Sequence, residues 1–100
     1  MKNKLFLVIF CFLSIGLNAA TIKGKVFEHK DSESLVGIKI SFINTTTFSC
    51  YDSYSDFDGN YEISIPSGNY IINVYGISYQ LVRTYATIST DIISNFRLNK

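Results

Sequence analysis

From residue 21 onward, apolar and polar side chains alternate with a period of two, in short runs separated by glycine, proline, asparagine, aspartate and serine. This is the pattern of strands that bury one face and wet the other. Strands are expected over residues 21–27, 38–44, 47–55, 60–66, 70–76, 79–88 and 92–98. In the second, Ile38, Ile40 and Phe42 share one face; in the fourth, Tyr61, Ile63 and Ile65 do. Those two faces should meet in the core. Residues 28–37, "EHKDSESLVG", read as a polar connection, and "PSGN" at 66–69 as a turn in which Pro66 fixes its own backbone angle and Gly68 permits a positive φ. No segment pairs helical periodicity with cap and stop signals. About seven short strands with regular turn signals imply an all-β sandwich or barrel in one domain.

The first nineteen residues break this pattern. Lys2 and Lys4 precede an unbroken apolar run from Leu5 to Leu13, followed by smaller residues ending in Ala19 and Ala20. That is the layout of a secretory signal peptide, with cleavage expected after Ala19 and a mature domain over residues 20–100. The uncharged stretch from Leu5 to Leu17 is shorter than the roughly 20 residues a membrane-spanning helix needs, so no transmembrane segment is expected in the mature chain. Cys11 follows Phe10 in mid-segment rather than a small residue at its end, which argues against a lipid anchor.

Removing Lys2 and Lys4 from the nine basic residues leaves seven against eight acidic ones, a net charge near −1 with no basic cluster. Nucleic acid and anionic lipid both attract through basic patches, so neither is expected as the main partner. Cys50 is then the single cysteine, no internal disulfide can form, and a buried strand thiol is the expectation for it. Stability must come from packing, for which the tyrosine, phenylalanine and isoleucine content is generous.

Chemistry-bearing residues are sparse. His29 is the one histidine and lies in the charged run "FEHKDSE", without C-x-x-C or H-E-x-x-H spacing elsewhere, so no catalytic residue is assigned. Asn44-Thr46, "NTT", matches the N-glycosylation acceptor but has meaning only in a eukaryotic secretory route. "YSDFDGNYEI" at 54–63 is the metal candidate, because Asp56, Asp58 and Asn60 offer oxygen ligands at alternate positions. With Gly59 in the sixth place of an EF-hand loop, the first place falls on Tyr54 and the twelfth on Ile65, and neither supplies a carboxylate. A tight strand-to-strand turn accounts for the same residues: Asp56 accepts backbone hydrogen bonds, Asp58 tolerates a bend and Gly59 takes a positive φ. Finally, Tyr51, Tyr54, Phe57, Tyr75, Tyr79 and Tyr85 exceed the needs of one small core, and could stack on sugar rings or anchor a protein interface.

"IKGKVFEHKDSESLVGIKISFINTTT", followed by "YSDFDGNYEISIPSGNYIINVYGISYQ", resembles the carboxypeptidase regulatory-like domain. The resemblance rests on Gly24, then Leu35 and Gly37, then Ser55, Asp56, Gly59 and Tyr61, then Pro66, Gly68 and Tyr70, and finally Tyr79. Ser55 stands where the family's outline has threonine, and Ser78 where a glycine directly precedes the tyrosine. It implies a seven-stranded, transthyretin-like Greek-key β-sandwich without catalytic activity or cofactor. Similar domains accompany metallocarboxypeptidases and the TonB-dependent outer-membrane receptors of Bacteroidota. No zinc-peptidase, plug or barrel region occurs in these 100 residues, so neither of those roles carries over. The functional expectation is an exported, non-enzymatic binding or accessory module, periplasmic, secreted or associated with the outer membrane, whose partner is an envelope protein or a glycan. Two alternatives stand beside it: a small carbohydrate-binding protein using exposed tyrosines, and a calcium-stabilised adhesion module.

Overall fold

The computed structural model describes residues 19–100; the expected signal peptide, apart from Ala19, lies outside them. Eight strands follow in order: β1 (Ala19–Glu28), β2 (Lys39–Asn44), β3 (Cys50–Tyr54), β4 (Asn60–Pro66), β5 (Gly68–Tyr75), β6 (Val82–Ile88), β7 (Ile92–Ile93) and β8 (Phe96–Leu98). One sheet runs β4-β1-β7 with β8 also on β1, and the other runs β3-β2-β5-β6. The expected sandwich is present, and the described residues contain no helix.

Alternation explains the core. Ala20, Ile22 and Val26 of β1, Ile40 and Phe42 of β2, Tyr61 and Ile65 of β4, and Tyr70, Ile72 and Val74 of β5 are all buried between the sheets. The Tyr70 ring meets Phe42 edge-on, and its hydroxyl donates to the Pro66 carbonyl at 2.6 Å, so a polar tip is satisfied inside an apolar layer. Apolar burial of such side chains contributes about 1.5–3 kcal/mol each.

The eighth strand comes from a break in the expected 92–98 strand. Ile22 pairs with Ile92 and Val26 with Phe96 in one unslipped parallel register, so β7 and β8 are halves of one strand interrupted at Ser94 and Asn95. There the Ser94 carbonyl turns over Gly24, where it accepts the Tyr61 hydroxyl at 2.6 Å, and the Asn95 side-chain oxygen accepts the Lys25 amide at 2.9 Å in place of a backbone carbonyl. Tyr61 faces Gly24 across the β1–β4 pair, so its ring bridges the sheet over the one β1 residue without a side chain. Burial pushes the Tyr61 phenol up to about 12, and the hydrogen bond to Ser94 offsets part of that rise.

Several sequence expectations change. The 47–55 strand shortens to Cys50–Tyr54 because Asn44 Oδ1 accepts the amides of Thr46 and Thr47 and curls the chain into a turn. Cys50 is exposed, not buried: β3 is an edge strand, and Cys50 points outward with Asp52 and Tyr54. Gly68 does not take a positive φ; a Cβ there would come within 2.8 Å of the side-chain amide of Asn44, whose Oδ1 is held by the Thr46 and Thr47 amides. A single residue, Ser67, then separates β4 from β5. The connection from β3 to β4 is not a hairpin within one sheet, since β3 pairs with β2 and β4 with β1; it is a corner that carries the chain between sheets.

The glycine position before Tyr79 has a structural answer. Ser78 has a φ of 72°, a left-handed conformation that costs an L-residue roughly 1–2 kcal/mol. Glycine relieves that strain but adds about 0.5–1 kcal/mol of unfolded-state entropy. Ser78→Gly is therefore expected to stabilise the domain by about 0.5 kcal/mol, read as a rise in the midpoint of urea unfolding with unchanged slope. A lowered midpoint would show that the Ser78 side chain supports the corner in another way.

Candidate binding face

Leu35, Gly37, Ser55, Asp56, Gly59 and Tyr79 of the family pattern lie toward the end of the sandwich where β1 finishes and β4 begins, whereas Pro66 and Gly68 lie at the opposite end, and these residues are committed to internal hydrogen bonds or close packing. The Ser55 hydroxyl is buried, donates to the Leu35 carbonyl at 2.7 Å and accepts the Ile38 amide at 2.9 Å, which ties the β1–β2 connection to the start of β2. A serine performs both tasks, so the threonine methyl is dispensable here. Gly37 has a φ of 75° and donates its amide to the Ser55 carbonyl.

Asp56 Oδ1 accepts the amides of both Asp58 and Asn60 at 2.9 Å, and the Asp56 carbonyl accepts the Gly59 amide. Gly59 has a φ of 80° and lies buried against the Val26 carbonyl. Asp58 and Asn60 are exposed at the rim of this corner. The three oxygen-bearing residues thus surround a turn whose best-placed carboxylate oxygen already serves the backbone.

Folding brings together one group that the sequence reading did not single out. Glu28, Asp31 and Glu33 place carboxylate oxygens within 4.8 Å of one another in the β1–β2 connection, and the inward-facing Glu28 lies 3.5 Å from the Tyr79 hydroxyl. The spacing E-x-x-D-x-E is the signal, hidden because the loop's curl is set by the Glu28 amide bonding the Glu33 carbonyl. His29 is exposed beside this group, with its amide on the Leu98 carbonyl.

The outer face of the β3-β2-β5-β6 sheet is different, because its side chains, apart from the buried Ser41, reach solvent yet are held in order. Registers stack them in rows: Tyr54, Lys39 and Tyr75; then Asp52, Ser41, Asn73 and Arg83; then Cys50, Ile43, Ile71 and Tyr85. Tyr54, Tyr75 and Tyr85 are 60%, 39% and 70% exposed, whereas Tyr51 and Tyr79 pack against the core. Tyr54 and Tyr75 stand two strands apart, about 10 Å. Lys39 lies between them, its ammonium 5.6 Å from the Tyr75 ring and 3.6 Å from Asp52. Hydrogen bonding to Tyr75, then the Asp52 charge, raises the Lys39 pKa above its ordinary value. The Ser41 hydroxyl donates to Asp52, and Arg83 Nε donates to Asn73 Oδ1 at 2.9 Å. The row of polar groups is thereby fixed before any ligand arrives, which lowers the ordering cost of binding. Phe57, 91% exposed, and Phe48 stand in loops at opposite ends of the sheet. A groove of about 790 Å³ on the outer side of β1 and β4 includes Lys23, Lys25, Phe27 and Glu62, with Lys23 directly opposite Glu62, and reaches round the β3–β4 edge to Tyr54 and Asp56.

The model of the CarboxypepD_reg-like domain matches residues 22–100. The chain belongs to the CarboxypepD_reg-like domain family. A search of curated proteins finds no match. Among solved structures, this CarboxypepD_reg-like domain is similar to chlorocatechol 1,2-dioxygenase from Pseudomonas putida, with a TM-score of 0.68 and 11% identity over 83% of this chain and 61% of that one. It is also similar to BcpA, the major pilin subunit of Bacillus cereus, with a TM-score of 0.65 and 18% identity over 81% of this chain and 30% of the pilin. The group B streptococcus pilus 2b backbone protein gives 0.64 and 15% over 81% of this chain and 41% of its own length. The chain spans less than two-thirds of each of these three proteins, and at such identities the likeness is one of fold. The CarboxypepD_reg-like family is a non-catalytic one, in keeping with an accessory or binding role for the domain.

Proposed function

We propose that this CarboxypepD_reg-like domain is an exported, non-enzymatic binding or accessory module of the cell envelope, and that it engages its partner through the outer face of the β3-β2-β5-β6 sheet. The observation that carries this reading is the set of three exposed tyrosines around a prearranged polar row of Asp52, Ser41, Asn73 and Arg83. Family membership supports the accessory role. The amino-terminal lysines and apolar run support export. No helix among the described residues is long and apolar enough to cross a membrane.

A glycan is the second reading, favoured by the chemistry of the same face. Tyrosine rings stack on the apolar faces of sugars, and planar carboxylate, amide and guanidinium groups bind hydroxyls in pairs. The 54–63 corner lends the calcium-stabilised adhesion reading less support, since Asp56 Oδ1 is already shared by two amides.

The test uses the labelled chain on a glycan array and on an immobilised envelope protein fraction, beside a variant carrying Tyr54→Ala, Tyr75→Ala and Tyr85→Ala. All three sites are exposed, so the variant should melt close to the parent. At about 1 kcal/mol for each lost aromatic contact, binding should fall by at least tenfold. Signal on the array supports the glycan reading, and signal confined to the protein fraction supports a protein partner. Undiminished binding by the folded triple variant would place the contact elsewhere and overturn the assignment of this face.

A further inference from the structure

The sandwich has one long strand edge that nothing among the described residues covers. On one side, β3 and β4 shield each other, with the Ser53 hydroxyl donating to the Glu62 carbonyl at 3.1 Å. On the other side, the first sheet ends in β7 and β8, strands of two and three residues parted by Ser94 and Asn95. β6 differs: it is seven residues long, "VRTYATI", and pairs only with β5. Strand edges are ordinarily guarded by lysine, proline, bulges or inward charges, because an open row of amides and carbonyls templates another strand. β6 has no proline, glycine, lysine or carboxylate, and its single charge, Arg83, is held by Asn73 on its own sheet.

The sequence of β6 fits itself. Antiparallel pairing about its midpoint sets Tyr85 opposite Tyr85 of a second copy, Arg83 opposite Thr87, Thr84 opposite Ala86 and Val82 opposite Ile88. Aromatic meets aromatic, apolar meets apolar, and no two like charges face each other, which are the favourable cross-strand combinations. In-register parallel pairing would instead set Arg83 against Arg83. Half-buried Val82 and Ala86, which pack on the core from the edge, would be covered in the same step. We propose that two copies of this chain pair through their β6 edges, in antiparallel register centred on Tyr85, to form one continuous eight-stranded sheet. The tyrosine-bearing face of each copy then continues into that of the other, with the two Tyr85 rings at the seam.

Sedimentation of the purified chain over a range of concentrations tests this, because Arg83 and Thr87 are exposed and can be exchanged without touching the core. Thr87→Lys sets a lysine opposite Arg83 twice per dimer and should weaken dimerisation by about tenfold. Thr87→Glu removes the same bond from Thr87 to Asn69 but sets a carboxylate opposite Arg83, and should hold the dimer at least as tightly as the parent. Combining Arg83→Glu with Thr87→Lys restores opposite charges and should recover what Thr87→Lys loses. A parent chain that stays monomeric up to about 1 mM overturns the proposal, as do Thr87→Lys and Thr87→Glu variants that shift the equilibrium alike.

Discussion

Gly24→Ala is expected to destabilise the domain by about 3 kcal/mol and to lower its melting temperature by roughly 15 °C. The sign is the informative part. Glycine inside a strand is normally worse than alanine by about 0.5–1 kcal/mol, so an ordinary β-strand site would gain from the change. Here a Cβ at position 24 would collide with the Ser94 carbonyl and reach within 3.0 Å of Asn95 Oδ1. Ser94 cannot retreat freely, since its amide bonds the Lys23 carbonyl at 2.9 Å and its carbonyl holds the buried Tyr61 hydroxyl. Displacing it also strands that phenol without a partner, a further cost of about 1–3 kcal/mol. Tyr61→Phe separates the contributions: it removes the hydroxyl while leaving Gly24 open, and should cost less than Gly24→Ala. A Gly24→Ala variant that melts at or above the parent temperature would mean that the Ser94 carbonyl does not sit over β1.

That site shows where sequence legibility ends. The alternation of Ile38, Ile40 and Phe42, or of Tyr61 and Ile65, has a local cause, because successive strand residues point to opposite faces, and these side chains are buried as expected. The break at Ser94 and Asn95 has a remote one. Nothing in "IISNFRL" announces it; it follows from a glycine and a tyrosine that only pairing brings alongside. Gly68 is a similar case, crowded by the hydrogen-bonded Asn44 side chain rather than set by turn chemistry.

The candidate face was legible only as an excess of aromatic residues. In β3 the chain reads Cys50, Tyr51, Asp52, Ser53 and Tyr54, with no apolar stripe to say which set faces inward. Pairing with β2 decides it by placing Tyr51 beside buried Phe42 and Tyr54 beside Lys39. Exposure of Cys50 follows from the same choice. Order within the polar row depends on β2, β3, β5 and β6 at once, and no local pattern encodes it.

Gly59→Val is expected to cost about 4 kcal/mol, more than any surface change, and to cost it equally in calcium and in chelator. Two causes combine. A φ of 80° is a genuine outlier for a β-branched residue, and a Cβ there would lie 2.7 Å from the Val26 carbonyl and 3.1 Å from the Ser34 Cβ. Val26 is the node of this end of the sandwich: its amide donates to the Gly59 carbonyl at 2.8 Å, and its carbonyl accepts the Leu35 amide at 3.0 Å. Pushing residue 59 away therefore loosens β1, the β1–β2 connection and the corner into β4 together. Gly59→Ala divides the two causes, since it keeps the dihedral penalty with less bulk and should fall between parent and valine variant. Thermal melts in calcium and in chelator complete the test. Coincident parent curves are expected, because Asp56 Oδ1 is occupied by the Asp58 and Asn60 amides. A calcium-dependent rise of several degrees, abolished in Asp58→Asn, would show that the corner holds a cation as well as a turn. A valine variant that melts like the parent would refute the left-handed geometry itself.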